Sequence, residues 1–160
     1  MTITKIICHE GCLFFSGIFS YFSLAEARRI WDTPAEAKKQ FSLYERFKRD
    51  EMLFYMSVGS VNQQRLVRWY NDKASQSDLS HVLQLHASQA NIDLALEFFQ
   101  TIRRNIETIC QELWPDNSEH YLNRWERFMH RPWSYYQNLD PDNQALIRHW
   151  YDSYQSAAGS

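Results

Sequence analysis

Between Ala95 and Leu113 the residues Ala95, Phe98, Phe99, Ile102, Ile106, Ile109 and Leu113 recur at spacings of three and four. That period puts every one of them on a single face of a helix and cannot be met by the alternation of a strand. A helix of this length must bury its stripe against other elements. The rest of the chain supplies partners of the same kind. Only four Gly and four Pro interrupt 160 residues, and the composition is 44% hydrophobic and 16% aromatic. Many short strands would need more breaks, so the chain reads as all-α, with roughly seven or eight helices. Its length suffices to bury one core without disulfide staples, so a single helical domain is expected over residues 1–156, with a short flexible tail at 157–160. On this reading the chain contains no internal repeat, low-complexity tract or dividing linker.

The first apolar stretch, residues 2–24, fits helix better than strand, with Gly11 and Gly17 as points where it bends or divides. Thr33-Pro34-Ala35-Glu36 is the clearest local signal: Thr33 as N-cap, Pro34 in the first helical position, Glu36 closing a capping box. A long helical segment then runs from about Arg49 to Tyr70, in which Gly59 costs about 1 kcal/mol relative to Ala. After the polar stretch 71–78, capped by Ser77 or Asp78, comes a helix carrying Leu79, Val82, Leu83 and His86 at i, i+3, i+4 and i+7. His86 therefore lies on a buried stripe. Turns at Trp114-Pro115-Asp116 and around Pro132 separate the later helices, and the last opens at Asp140-Pro141-Asp142.

A formal net charge of -2 gives no electrostatic reason to expect nucleic acid or an anionic membrane. The three cysteines lack Cys-x-x-Cys spacing and suit a reducing, cytoplasmic location rather than a disulfide framework. Polar residues interrupt the apolar N-terminal stretch, which reads as core helix and not as a membrane span. No phosphate-cradling glycine loop, nucleophile elbow or triad pattern argues for an enzyme.

A histidine on an apolar helix stripe is either a satisfied core residue or an axial ligand. Here Leu79, Val82, His86, Ala87, Ile92 and Phe98 follow one another in an order that resembles the proximal segment of globins. Thr33-Pro34-Ala35-Glu36-Ala37-Lys38-Lys39-Gln40-Phe41 is similar to the family's Pro-Glu-x-x-x-x-Phe segment, with one extra residue, and Trp125 falls where some bacterial globins carry a Trp. The resemblance covers about residues 30–130. It implies a globin-like fold, haem iron ligated by His86, and a pocket walled by Phe41, Phe54, Val58, Ile92, Phe98 and Phe99. The distal position lands near Val61–Gln64, without a His. A gas or redox sensor is thus expected rather than an oxygen store. The alternative is a cofactor-free helical interaction or regulatory module, an adaptor or a haem-less globin-like sensor.

That alternative draws on the dense aromatic set Trp133, Tyr135, Tyr136, Trp150, Tyr151 and Tyr154. Tyr and Trp concentrate at interfaces, so this C-terminal region is expected to carry a homodimer or protein-partner surface. Glu126, His130 and His149 offer metal ligands from successive helices, set against an ordinary polar face. Cys8 and Cys12, one turn apart, suit either zinc or a small-residue core position.

Overall fold

The computed structural model describes residues 3–17, 22–75 and 88–158. Among these are nine α-helices: α1 (Ile3–Cys12), α2 (Leu24–Ile30), α3 (Pro34–Arg46), α4 (Glu51–Ser57), α5 (Ser60–Ser75), α6 (Gln89–Leu113), α7 (Ser118–Arg127), α8 (Pro132–Gln137) and α9 (Pro141–Ala158). A π-helical turn, Leu13–Gly17, follows α1. No strand occurs among the described residues. The last helix runs two residues into the expected tail.

Local chemistry accounts for most of the boundaries. Thr33 Oγ1 accepts the Glu36 N–H at 3.1 Å and Pro34 opens α3, while the Glu36 carboxylate takes the Gln40 side-chain amide at 2.9 Å. Asp50 and Asp140 accept N–H groups of Leu53 and Asn143 at 3.0 and 2.8 Å and cap α4 and α9. The long segment expected over residues 49–70 is two helices. Gly59 lies between them at φ +85°, with open space where a side chain would sit, so it serves a left-handed backbone and not a close approach. Asn105 has non-helical φ/ψ inside α6, and its side chain donates to the Thr101 carbonyl at 2.8 Å.

Packing divides the chain into two compact units, Leu13–Ile92 (the first) and Met1–Cys12 with Asp93–Ser160 (the second). In the first unit Phe22 meets Trp31, Phe41, Tyr44, Phe54 and Trp69, with ring centroids 5.0–6.3 Å apart. Phe14 packs edge-on against Phe15, Tyr55 and Tyr70. Such pairs each contribute about 0.5–1.5 kcal/mol beyond their buried area. In the second unit Phe98 meets Phe99, Tyr136 and Tyr151, and Tyr135 meets Trp125 edge-on. There Gly11 lets α1 approach α6: a Cβ at Gly11 would sit 2.6 Å from that of Ala95 and 2.9 Å from the Phe99 ring.

The two units are copies of one helical plan, contrary to the expectation of a chain without repeats. Glu45-Arg46-Phe47 and Glu126-Arg127-Phe128, Tyr55 and Tyr136, Asn62-Gln63 and Asn143-Gln144, and Trp69-Tyr70 and Trp150-Tyr151 all stand 81 positions apart. The geometry repeats with them. Helices α3 and α7 end at the equivalent Arg46 and Arg127, and two consecutive left-handed residues follow: Lys48 and Arg49 (φ 55° and 57°), Met129 and His130 (φ 54° and 59°). Trp31 Nε1 donates to Asn62 Oδ1 at 2.8 Å, and Trp114 Nε1 to Asn143 Oδ1 at 2.9 Å. Gln63 donates to the Tyr55 carbonyl and Gln144 to the Tyr136 carbonyl, each at 2.9 Å. These bonds join α5 to the end of α2 and to α4, and α9 to the end of α6 and to α8. Buried polar groups satisfied this way fix the register of the helices as well as their proximity.

Candidate functional site

A duplicated fold offers a comparison that a single domain does not, because residues the plan requires recur in both copies. The face of α5 in the first unit and the corresponding face of α9 in the second differ in chemistry. Each carries a Trp whose indole N–H donates to a carboxylate on a helix earlier in the same unit: Trp69 to Glu26 of α2 at 2.8 Å, Trp150 to Glu112 of α6 at 2.7 Å. Around that common feature the chemistry diverges. Arg65, Arg68, Asp72 and Lys73 of α5 stand where α9 has Leu146, His149, Ser153 and Tyr154.

In the first unit this face forms one wall of a cleft of about 370 Å³ between α2 and α5. Glu26 is its electrostatic centre. Lys73 Nζ lies 2.7 Å from the Glu26 carboxylate, and Arg29 lies 3.6 Å away. Burial pushes the Glu26 carboxyl up, but the hydrogen bonds from Lys73 and Trp69 and the nearby cations outweigh it, holding the group below the usual carboxylate range. Arg65 donates to the Ile30 carbonyl at 3.1 Å, satisfying the end of α2, and stands 3.7 Å from Asp32. Arg68 is exposed and has no hydrogen bond or ion pair among the described residues.

In the second unit the equivalent face carries an apolar stripe beside the exposed His149 and Ser153. Leu146, Trp150 and Tyr154 follow one another at i, i+4 and i+8 along α9. Leu146 is 41% exposed and Tyr154 39%, and the Trp150 and Tyr154 rings stack at 5.2 Å. Of the C-terminal aromatic set, Trp133, Tyr135 and Tyr136 are not surface residues. They are interior residues of the second unit: the Tyr135 hydroxyl donates to the Tyr121 carbonyl at 3.0 Å, and the Tyr136 hydroxyl takes a hydrogen bond from Arg148 at 2.5 Å. Only the α9 aromatics reach the surface, with Tyr151 half-buried against Phe98.

The residues expected around haem are distributed as follows. His86 lies outside the described residues, as do Leu79, Val82, Leu83 and the expected caps Ser77 and Asp78. Phe41, Phe54, Val58 and Ile92 belong to the first unit, Phe98 and Phe99 to the second. Phe41 and Val58 are half-buried. Phe54, Ile92 and Phe99 are fully buried. Phe54 is instead enclosed by Phe22 and Tyr44, and its equivalent in the second unit, Tyr135, is enclosed likewise.

No group of three or more His, Cys, Asp or Glu side chains able to hold a metal ion occurs among the described residues. His130 and Glu126 pair with each other at 2.7 Å. Cys8, Cys12 and Cys110 are buried free thiols; burial pushes all three up, Cys12 to about 12, which keeps them protonated and unreactive. No described helix is long and apolar enough to cross a membrane. No protein-family model, curated protein or solved structure matches the chain.

Proposed function

We propose that the chain is a cofactor-free helical interaction module, built by duplication of one helical plan, that self-associates through the apolar face of α9. The observation that carries this reading is the divergence of the two copies at one face. The plan tolerates Arg65, Arg68 and Lys73 there, so Leu146, His149 and Tyr154 are not demanded by folding. An exposed stripe of Leu, Trp and Tyr on a helix is a surface that water solvates poorly and a protein partner covers well. A second copy is the occupant that fits. The stripe spans about 12 Å along the helix, so an isologous contact brings the same short patch from both copies together.

The closed packing of Phe54, Ile92 and Phe99 supports the cofactor-free half of the reading. A porphyrin in the core of either unit requires neighbours to be displaced, at about 2–5 kcal/mol for each large side chain removed from its site. The aromatic spacings that resemble a haem wall are equally those of a duplicated aromatic core. Sedimentation over a range of concentrations tests the reading. The chain should show a reversible dimer, and Leu146→Asp with Tyr154→Asp should leave a folded monomer. A monomer at every concentration, or a dimer indifferent to both substitutions, overturns it.

A further inference from the structure

The cleft of the first unit is independent of the α9 face, and we propose that it binds a small anion: a ligand presenting a carboxylate or phosphate group to Arg68, flanked by Arg65, Arg29 and Lys73. The fold does not need these cations. At the positions of Arg65, Arg68 and Lys73 the second unit has Leu146, His149 and Tyr154, and it holds its Trp–carboxylate bond without any of the three cations. A cluster of cations in one copy alone is a departure from the shared plan, and cations on one wall repel each other to the extent that carboxylates leave them unneutralised.

The internal pairing is also unequal. Glu26 is taken up by Lys73 and Trp69, and Asp32 stands 3.7 Å from Arg65. Four cations and three carboxylates line the cleft, the third being Asp72. The lining thus retains one positive charge. Arg68 is the cation that no carboxylate has claimed. Its guanidinium presents a planar fork of donors that matches the paired oxygens of a carboxylate or phosphate. A volume of about 370 Å³ is at the small end for ligand sites, which suits an organic acid or a phosphate ester rather than a polymer.

The two equivalent tryptophans provide the assay. Trp69 Nε1–H lies in the cleft and Trp150 Nε1–H lies on the corresponding face without the cations, so their indole NMR signals serve as reporter and internal control in one molecule. The full chain is titrated at constant ionic strength with inorganic pyrophosphate and, separately, with citrate; the signals are assigned with Trp69→Phe and Trp150→Phe. The Trp69 signal should move to saturation with at least one probe while that of Trp150 stays. Response to pyrophosphate alone assigns phosphate chemistry, to citrate alone carboxylate chemistry, and to both a site for either. Arg68→His, which installs the residue of the other unit at an exposed position, should weaken the response about tenfold, the loss of one charge-assisted hydrogen bond. An unmoved Trp69 signal, equal movement of both tryptophans, or an unchanged affinity in Arg68→His overturns the proposal.

Discussion

Replacing Asn143 by Ala removes the acceptor for Trp114 Nε1, a bond of 2.9 Å that ties the end of α6 to the start of α9. Trp114 is 8% exposed and stacked on Tyr121 at 3.9 Å, so its indole N–H cannot turn freely to solvent. Loss of the bond costs about 1 kcal/mol, and stranding a buried donor adds about 1–3 kcal/mol when water is excluded. The residual exposure of Trp114 admits partial hydration, which places the expected loss near 2 kcal/mol. For a chain of this size that is a fall in Tm of roughly 4–8 °C. Asn62→Ala, which removes the equivalent acceptor for Trp31 at 2.8 Å, should cost a similar amount. Urea unfolding followed by circular dichroism measures both. A change within about 0.5 kcal/mol of the parent chain for either variant, the range of an ordinary surface substitution, refutes the argument that these paired bonds hold the repeated plan together.

Three further outcomes follow from single positions. Gly11→Ala should destabilise the second unit by about 1–3 kcal/mol by overpacking, since its Cβ would sit 2.6 Å from that of Ala95, and adding Ala95→Gly should recover much of the loss in the same unfolding assay. Gly59→Ala meets no atom but imposes φ +85° on an L-residue, so it should cost about 1–2 kcal/mol, with Asn at the same position costing less. Glu26→Gln should lower Tm at pH 7. The folded Glu26 carboxyl lies below its unfolded value, so ionisation favours the folded chain; that contribution is complete above the unfolded value of about 4.3 and is lost as pH falls through the folded one. The Tm gap between Glu26→Gln and the parent should therefore narrow on acidification, and a gap that widens contradicts the assignment.

The helical class and several helix limits were legible because they rest on local rules. The stripe from Ala95 to Leu113 lies on α6, and Thr33-Pro34 opens α3, where capping chemistry acts within four residues. Gly59 misled because a glycine inside an apolar run looks like a tolerated helix residue, whereas here a positive φ separates two helices. The duplication was present in the letters but not in their hydrophobic pattern. Apolar positions differ between the copies, Met52 against Trp133, Phe54 against Tyr135 and Val58 against Leu139, so each unit packs its own set of side chains. Retained instead were the bridging residues Trp31, Asn62 and Gln63, which recur as Trp114, Asn143 and Gln144 with the same hydrogen bonds, whereas the caps Thr33 and Asp50 have no counterpart at Asn117 and Arg131. The spacing also shifts, Trp31 and Trp114 lying 83 positions apart and the later pairs 81, which breaks a fixed-period search.

The same reasoning explains why the candidate site was only partly visible. Trp133, Tyr135 and Tyr136 looked like surface because aromatics are common at interfaces, but Tyr135 and Tyr136 satisfy their hydroxyls internally. The cleft of the first unit could not be read from Arg65, Arg68 and Lys73 alone, since charges at these spacings usually mark a solvated helix face. Their significance emerges only when Leu146, His149 and Tyr154 are set beside them.

In the proposed module the chain's aromatics build two copies of a closed core and hold no cofactor. The most direct test is an absorbance titration of the full chain with hemin, run in parallel on His86→Ala. The hemin spectrum in the Soret region should be the same with either protein and show no saturation at one equivalent. A Soret band that saturates at one hemin per chain and is weakened or shifted by His86→Ala would contradict it.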